Sequence, residues 1–457
     1  HLALDVEAAD GRRARGFAAD NLPPKWFDKT PARSFRDNVG DLLASIRAAQ
    51  SAYLDAGRKP RPVFDVWRAA YAECARRGPG LGLNGLTAGF GSSLFDGALA
   101  DAAGRLTGLD VVGMLRADVL GIRPEAVHRG LTREHLLAWA SRPAPEAIAV
   151  RHTVGLLDPI VAADVAADGW LRDGLPQTLE ECVPRHGLTH FKLKVGGQVD
   201  ADVDRLTRIA VTLDRLVADP YVVTLDGNEQ YKAMADFAAL VAAIRATPAL
   251  GRLWRSTAFI EQPLDRAIAL DPAATEGLEA LGRQVPIIID ESDGDLEAFP
   301  RAVALGYRGV STKNCKGIVK SFLNRTLVEA LNGERPERAR LSMSAEDLTN
   351  VPVVPLQQDL ATVRALGITH VERNGHHYVR GLAHCSRAER AAALRHHGDL
   401  YLGDEREAWL RIEAGRLRVG SLATAGYGVA FDPDLASMIP LDRWTFDSLT
   451  AGPGETG

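Results

Sequence analysis

The chain has 457 residues, 46% of them hydrophobic and 25% charged, as expected of an ordinary globular protein and enough for a barrel plus a second domain. A formal net charge of −5 leaves no basic excess to meet phosphates, which argues against a nucleic-acid partner, and no apolar run reaches membrane-spanning length. Four cysteines (Cys74, Cys182, Cys315, Cys385) stand far apart, which argues against a zinc or disulfide framework and suggests a reducing, cytoplasmic setting.

The chain opens on alternating residues to Glu7, a turn at Asp10-Gly11 and a return over Ala14 to Ala19, which reads as a hairpin. It carries no signal-peptide pattern and starts without lead-in, so further chain is expected upstream. A Pro-rich linker around Pro23-Pro24-Lys25-Trp26 precedes helical stretches at 36–57, 62–78 and 92–107. The last of these places Leu94, Ala98, Ala102 and Leu106 on one face.

From about residue 146 the pattern becomes strand, helix, strand, helix. The strand candidates are Ala147–Leu157, Thr189–Val195, Tyr221–Asp226, Ala258–Glu261, Val285–Asp290, Gly309–Lys313, Arg340–Ser344 and Thr369–Glu372. Most are aliphatic or β-branched without strict alternation, as parallel strands covered on both faces should be. Between them the clearest amphipathic segment is 199–218, with Leu206, Ile209, Leu213 and Val217 on one side. Eight strands with intervening helices predict an α/β fold of the (β/α)8 TIM type. The rival open sheet with a dinucleotide site lacks a Gly-x-Gly-x-x-Gly after an early strand. A helix at 386–398 and a strand pair, Trp409–Ile412 with Leu417–Val419 turning at Ala414-Gly415, are expected to leave the barrel. The expected division is an α+β cap at 1–145, a barrel at 146–385 and a segment returning to the cap at 386–457.

Five polar segments end successive strands: Phe191-Lys192-Leu193-Lys194, Leu225-Asp226-Gly227-Asn228, Ile260-Glu261-Gln262-Pro263, Ile289-Asp290-Glu291-Ser292 and Ser311-Thr312-Lys313-Asn314. In such barrels the site lies at the C-terminal strand ends. Lys192 and Lys194, two apart on a strand, point to the same face. Asp226, Glu261 and Asp290 on adjacent strands would repel one another unless a cation sat among them, and oxygen-only ligands favour Mg²⁺ or Mn²⁺. Lys313 on the sixth strand stands nearly opposite Lys194, so the two would flank a ligand. A lysine base must be neutral near pH 7, which requires its free pKa of about 10.4 to fall.

This ordered series resembles the enolase superfamily, specifically the muconate lactonizing enzyme-like branch of its mandelate racemase–muconate lactonizing enzyme family. The resemblance implies a modified barrel, (β/α)7β, under an α+β capping domain. It also implies Mg²⁺ held by Asp226, Glu261 and Asp290, with Lys192 on the carboxylate of a small-molecule substrate. Lys194 and Lys313 would be base or acid at the α-carbon, giving an enediolate, and Asn228 and Glu291 would support the ligands. The expected outcome is racemisation, epimerisation or cycloisomerisation, with β-elimination by a dehydratase or lyase as the alternative. Homo-oligomers are common for such enzymes. The seventh strand, Leu341 to Asp347, has no His, which speaks against a mandelate racemase-like His–Asp pair. The eighth ends Glu372-Arg373-Asn374-Gly375-His376-His377, without the Asp-x-Asp of dipeptide epimerases, so a polar, hydroxylated acid is the better expectation. Glu346, Glu372, Asn374 and His376 are candidate substrate contacts.

Taken singly, each motif has a blander reading. A Lys-x-Lys is usually a solvated edge strand, Asp-Glu-Ser a helix cap, and Glu346-Asp347 a cap for the following helix. Adjacent His376 and His377 alternate faces and suit solvent better than a shared metal. Lys316 is expected to face away from Lys313 and to be structural. Two other classes stand against the reading: a Schiff-base aldolase, disfavoured by three metal-type carboxylates, and a non-catalytic acid-binding barrel, disfavoured by the full set of lysines and acids.

Overall fold

The computed structural model describes residues 1–218, 220–374 and 380–449. Strands β1 (Leu2–Glu7) and β2 (Arg13–Ala18) pair antiparallel from Leu2↔Ala18 to Glu7↔Arg13. Helices α1 (Phe35–Ala56), α2 (Val63–Arg77) and α3 (Gly85–Thr107) follow. Ser34 and Asp37 form a capping box that starts α1. α3 begins earlier than its apolar stripe suggests, because the Asn84 side chain accepts from Thr87 N and caps it there. It is the central helix of the cap, buried on nearly every side against β2, α1 and α2. Close approach needs small residues: a Cβ on Gly16 would collide with the backbone of Ala98, and one on Gly91 with the backbone of Ser45. Short helices α4 (Val111–Arg116) and α5 (Arg133–Ala140) lead into the barrel.

The barrel takes its eight parallel strands in chain order. They are β3 (Ala147–Val154), β4 (His190–Lys194), β5 (Val222–Asp226), β6 (Thr257–Glu261), β7 (Ile287–Ile289), β8 (Gly309–Thr312), β9 (Ser342–Ala345) and β10 (His370–Arg373). β10 pairs with β3 and nearly closes the ring, while β9 and β10 share no ladder. Helices α6 (Leu179–His186), α7 (Val199–Leu216), α8 (Met234–Ala246), α9 (Gly251–Arg255), α10 (Leu278–Gly282), α11 (Ala298–Leu305), α12 (Ile318–Asn332) and α13 (Val354–Ala365) lie between strands. Outward residues such as Phe191, Leu193 and Val223 are fully buried under these helices, which is why the strands read as apolar runs. The architecture is the expected modified (β/α)8 barrel.

The C-terminal part departs from expectation. After α14 (Arg387–His396), β11 (Tyr401–Gly403) pairs with β12 (Ala408–Leu410), not with the following strand. β13 (Arg416–Arg418) instead joins the barrel antiparallel to β3, from Arg416↔Ala149 to Arg418↔Ala147. β10 covers β3 only from Ala149 onward, so the start of β3 offers an unpaired edge that β13 takes. The chain then reaches α3, where the buried Asp101 carboxylate accepts from Phe17 N at 2.9 Å and Tyr427 N at 2.7 Å. No single helix among the described residues is long and apolar enough to cross a membrane.

Candidate active site

Parallel register sets the polar residues at one level. Lys194 is the Cα partner of Asp226, and Asp226 of Glu261, so three adjacent strands end together. Asp290 follows β7 directly, Lys313 follows β8 and Glu346 follows β9, while Glu372 lies within β10. All these side chains converge inside the barrel mouth.

Lys192 is the hub. Its buried ammonium lies 3.0 Å from Asp226, 3.0 Å from Glu261, 2.7 Å from Glu346 and 3.1 Å from Glu372. Lys194 pairs with Asp226 Oδ2, and the other Asp226 oxygen accepts from Asn228 N at 2.7 Å. Lys313 lies 2.6 Å from Asp290 and 2.7 Å from Glu346. The lysines thus stand on different acids. They also differ in access, since the Lys194 side chain keeps 21% of its surface and that of Lys313 3%. The Trp26 ring lies 5.1 Å from Lys313 Nζ and covers it.

Electrostatics here run against a resting base. Burial alone would lower Lys194 and Lys313, but the Asp226 carboxylate raises the first, and Asp290 and Glu346 raise the second well above its usual value. Both are therefore held as ammonium while those acids face them. Burial, then the charge of Glu346, pushes Glu261 well above the usual carboxylate range. Glu346 moves the other way: burial would raise it, but Lys192 and Lys313 hold it well below.

Two side chains sit deeper than expected. Lys316 does not face away. Lys313 caps a 3-10 turn, Asn314–Lys316, and i, i+3 side chains eclipse in such a turn, so both ammoniums reach Asp290. Glu346 is neither at the rim nor a helix cap but is fully buried in the cluster. It is gripped by Arg151 from β3, whose Nη2 reaches Glu346 Oε1 at 3.1 Å, Ser344 Oγ at 2.9 Å and the Ala345 carbonyl at 3.2 Å. Arg151 Nη1 also meets His370 Nδ1 at 2.8 Å, and burial, then Arg151, pulls that imidazole down to about 3. Five acids, Asp226, Glu261, Asp290, Glu346 and Glu372, so face five bases, Lys192, Lys194, Lys313, Lys316 and Arg151.

The remaining sequence candidates fall around this core. Asn228 Nδ2 donates to Glu291 Oε1 at 3.2 Å, and burial, then Asp290, raises Glu291 to about 7. Glu372 accepts from Thr153 Oγ1 and from Asn374 Nδ2, so Asn374 orients Glu372. Arg373 turns away from the mouth into a buried set with Asp347 and Asp359, each 2.9 Å away, and is spent on packing. His376 and its neighbour His377 lie outside the described residues. From the cap, residues 21–29 cross the mouth: Asn21 reaches Thr349 O at 2.7 Å, Arg266 holds Trp26 O at 2.8 Å, and Lys29 pairs with Glu229 at 2.5 Å.

The donor set suits a hard divalent cation. Carboxylate oxygens of Glu261, Asp290 and Glu346 lie within 4.8 Å of one another. Both Glu261 oxygens are buried and accept no hydrogen bond, the Lys192 ammonium 3.0 Å from Oε2 being the positive charge beside them, and buried carboxylate oxygens so placed suit a cation.

Comparison with known proteins agrees with this architecture. The family model for an enolase C-terminal domain-like segment matches residues 175–330. The chain is similar in fold to the mandelate racemase/muconate lactonizing enzyme from Roseiflexus sp., at 18% identity and TM-score 0.57, covering 96% of this chain and 93% of that one. It is similar to the dipeptide epimerase from Methylococcus capsulatus complexed with Mg ion, at 18% identity and TM-score 0.55, covering 94% of each chain. It is also similar to the 3,6-anhydro-D-galactonate cycloisomerase from Zobellia galactanivorans, at 15% identity and TM-score 0.53, covering 95% and 92%. No curated protein matches the chain.

Proposed function

From the match of residues 175–330 to the enolase C-terminal domain-like family, we propose that this chain is an enolase-superfamily isomerase that removes the α-proton of a small carboxylic acid. The product of that step is an enediolate, which is then reprotonated or rearranged, giving racemisation, epimerisation or cycloisomerisation. One observation carries the reading: Lys194 and Lys313 are held on separate carboxylates, Asp226 for one and Asp290 with Glu346 for the other, with Lys192 between them.

Asp226, Glu261 and Asp290 would hold Mg²⁺, or Mn²⁺ in its place. The bound cation supplies a Lewis-acid field for the negative oxygens of the substrate. Lys192, released from its acids, binds the substrate carboxylate and keeps its plane fixed. Lys194 or Lys313 becomes a base when its acid partner is engaged elsewhere, because the charge that raised its pKa is then withdrawn. The opposite lysine, still an ammonium, returns a proton. Since the acids and bases of the cluster cancel in formal charge, a divalent cation leaves an excess that a dianionic enediolate balances. The Trp26 segment over Lys313 limits water at that side. Dipeptidic substrates are not favoured, because among the described residues at the end of the eighth strand the inward acid is Glu372, pinned by Thr153 and Asn374. A compact polar acid fits better.

The test is solvent exchange. The chain is incubated with Mg²⁺ in D₂O and a panel of hydroxy, amino and sugar acids, then analysed by mass spectrometry and NMR. Deuterium at an α-carbon supports the proposal, and a mass lower by water marks elimination instead. Acids that stay unlabelled throughout, with the cation bound, would overturn it.

A further inference from the structure

We propose that Glu346 is a fourth carboxylate of the cation site, set there by Arg151, and that Lys192 is the internal cation that fills the site until a divalent ion displaces it. The inference rests on the cation-binding part of the function proposed above and adds a residue beyond its three acids.

Geometry singles out Glu346. Among the described residues, the acids whose oxygens come within 4.8 Å of one another are Glu261, Asp290 and Glu346. Asp226 stands outside that group of three, with Lys194 and Lys192 on one oxygen and Asn228 N on the other. Glu346 is 1% exposed, so its charge is not there for solvent. Its two oxygens have different tasks. Oε1 faces Arg151, which is 0% exposed and also bonded to Ser344 and Ala345, the residues leading into Glu346. Oε2 points into the cluster, 2.7 Å from both Lys192 and Lys313. A carboxylate fixed through one oxygen and presenting the other is the arrangement by which supporting contacts aim a metal ligand.

A second, independent observation points to a cation. The Lys192 ammonium has one oxygen from each of four acids, Asp226, Glu261, Glu346 and Glu372, within 3.1 Å. An ammonium surrounded in this way is a stand-in for an ion. Glu261, 0% exposed, accepts no hydrogen bond at either oxygen, and its Oε2 lies 3.0 Å from that same ammonium. Entry of a divalent ion would take these oxygens from Lys192 and free it for the substrate carboxylate. Loading the ion and arming Lys192 are therefore one event.

Opposite signs test this. Mn²⁺ alone is titrated into the full chain by calorimetry, with free Mn²⁺ followed by electron paramagnetic resonance and folding by thermal unfolding. Glu346→Gln should weaken binding at least about tenfold. Lys192→Met should tighten it and enlarge the thermal shift on adding Mn²⁺, since the competitor is gone. Glu261→Gln serves as the reference and should lose binding. If Glu346→Gln does not fold, Arg151→Lys reports on the same carboxylate and should bind several-fold more weakly. Wild-type affinity in Glu346→Gln, or in Arg151→Lys, beside loss in Glu261→Gln would overturn the role of Glu346 and leave the proposed function standing. Unchanged or weaker binding by Lys192→Met would overturn the stand-in role. A wild-type chain that takes up no Mn²⁺ would overturn this inference together with the cation-dependent function.

Discussion

Lys316 donates to Asp290 Oδ1 at 2.7 Å and to the Asp290 carbonyl at 2.8 Å, from a side chain that is 1% exposed. Asp290 is thereby held from two sides, with Lys313 on its other oxygen. Replacing Lys316 by Met leaves a buried carboxylate oxygen and two backbone carbonyls, of Asp290 and Ser311, without this donor. The expected cost is about 3–5 kcal/mol of stability, the usual range for removing one member of a buried pair. Urea unfolding measures it, and an unchanged midpoint would show that the contact contributes nothing.

The two flanking lysines should fail differently. Each stands on its own acid, so Lys194→Ala and Lys313→Ala each remove one proton carrier and spare the other. Interconversion should drop by about 10²–10⁴ in both variants, the usual contribution of a positioned acid or base. With the exchanging acid in D₂O, each variant should still label one of the two epimers. Equal loss of exchange from both epimers in both variants would speak against a lysine on either side.

Acid should weaken the fold through buried histidines. His397 is 0% exposed, bonded at 3.0 Å to Ser421 Oγ through Nδ1, while Nε2 accepts from Ala430 N at 3.2 Å. Burial, the main cause, lowers it from 6.5 to about 4. Because the folded value lies below the unfolded one, the unfolded chain binds the proton first. The stability from neutral His397 is present above pH 6.5 and is lost as pH falls toward about 4. The shift corresponds to about 3 kcal/mol. Urea midpoints taken across this window should fall, and His397→Asn should flatten the slope by about one proton.

The α1–α3 contact should tolerate no added methyl group at Gly91. A Cβ there meets the backbone of Ser45, which cannot swing aside as a side chain could. Gly91→Ala should destabilise the cap by about 1–3 kcal/mol, read as a lowered thermal midpoint. Gly89→Ala, two residues away and facing open space, should leave the midpoint unchanged or raise it.

Much of the site was readable because parallel strands deliver their last residues to one place. Lys192 and Lys194 share a face by parity alone, and the spacing of Asp226, Glu261 and Asp290 leaves room for a crossover helix each time. Lys316 was misread because a continuing strand would have turned it outward, whereas the chain enters a 3-10 turn at Asn314. Arg151 gave no local signal: it sits in an ordinary apolar strand, and its partners Ser344 and Glu346 lie 193 and 195 residues away. The early start of α3 was hidden by Gly85, Gly89 and Gly91, whose low helix propensity is outweighed by the Asn84 cap and, at Gly91, by close packing on the Ser45 backbone. Strand β13 pairs with β3 along an edge that β10 leaves uncovered, a gap set by the barrel register and invisible in either strand alone.

The Asp101 carboxylate, shared between Phe17 N and Tyr427 N, sets a timetable for biogenesis. At roughly 5–20 residues per second, a ribosome needs about 16–65 s to travel from residue 101 to residue 427. During that interval Asp101 lacks one of its two backbone donors, and the face of α3 that receives Gly426 is uncovered. The first domain to emerge is thus the last to be sealed. Until the tail arrives, the contacts of α3 with β2, α1 and α2, all made early in synthesis, are what hold that helix in place.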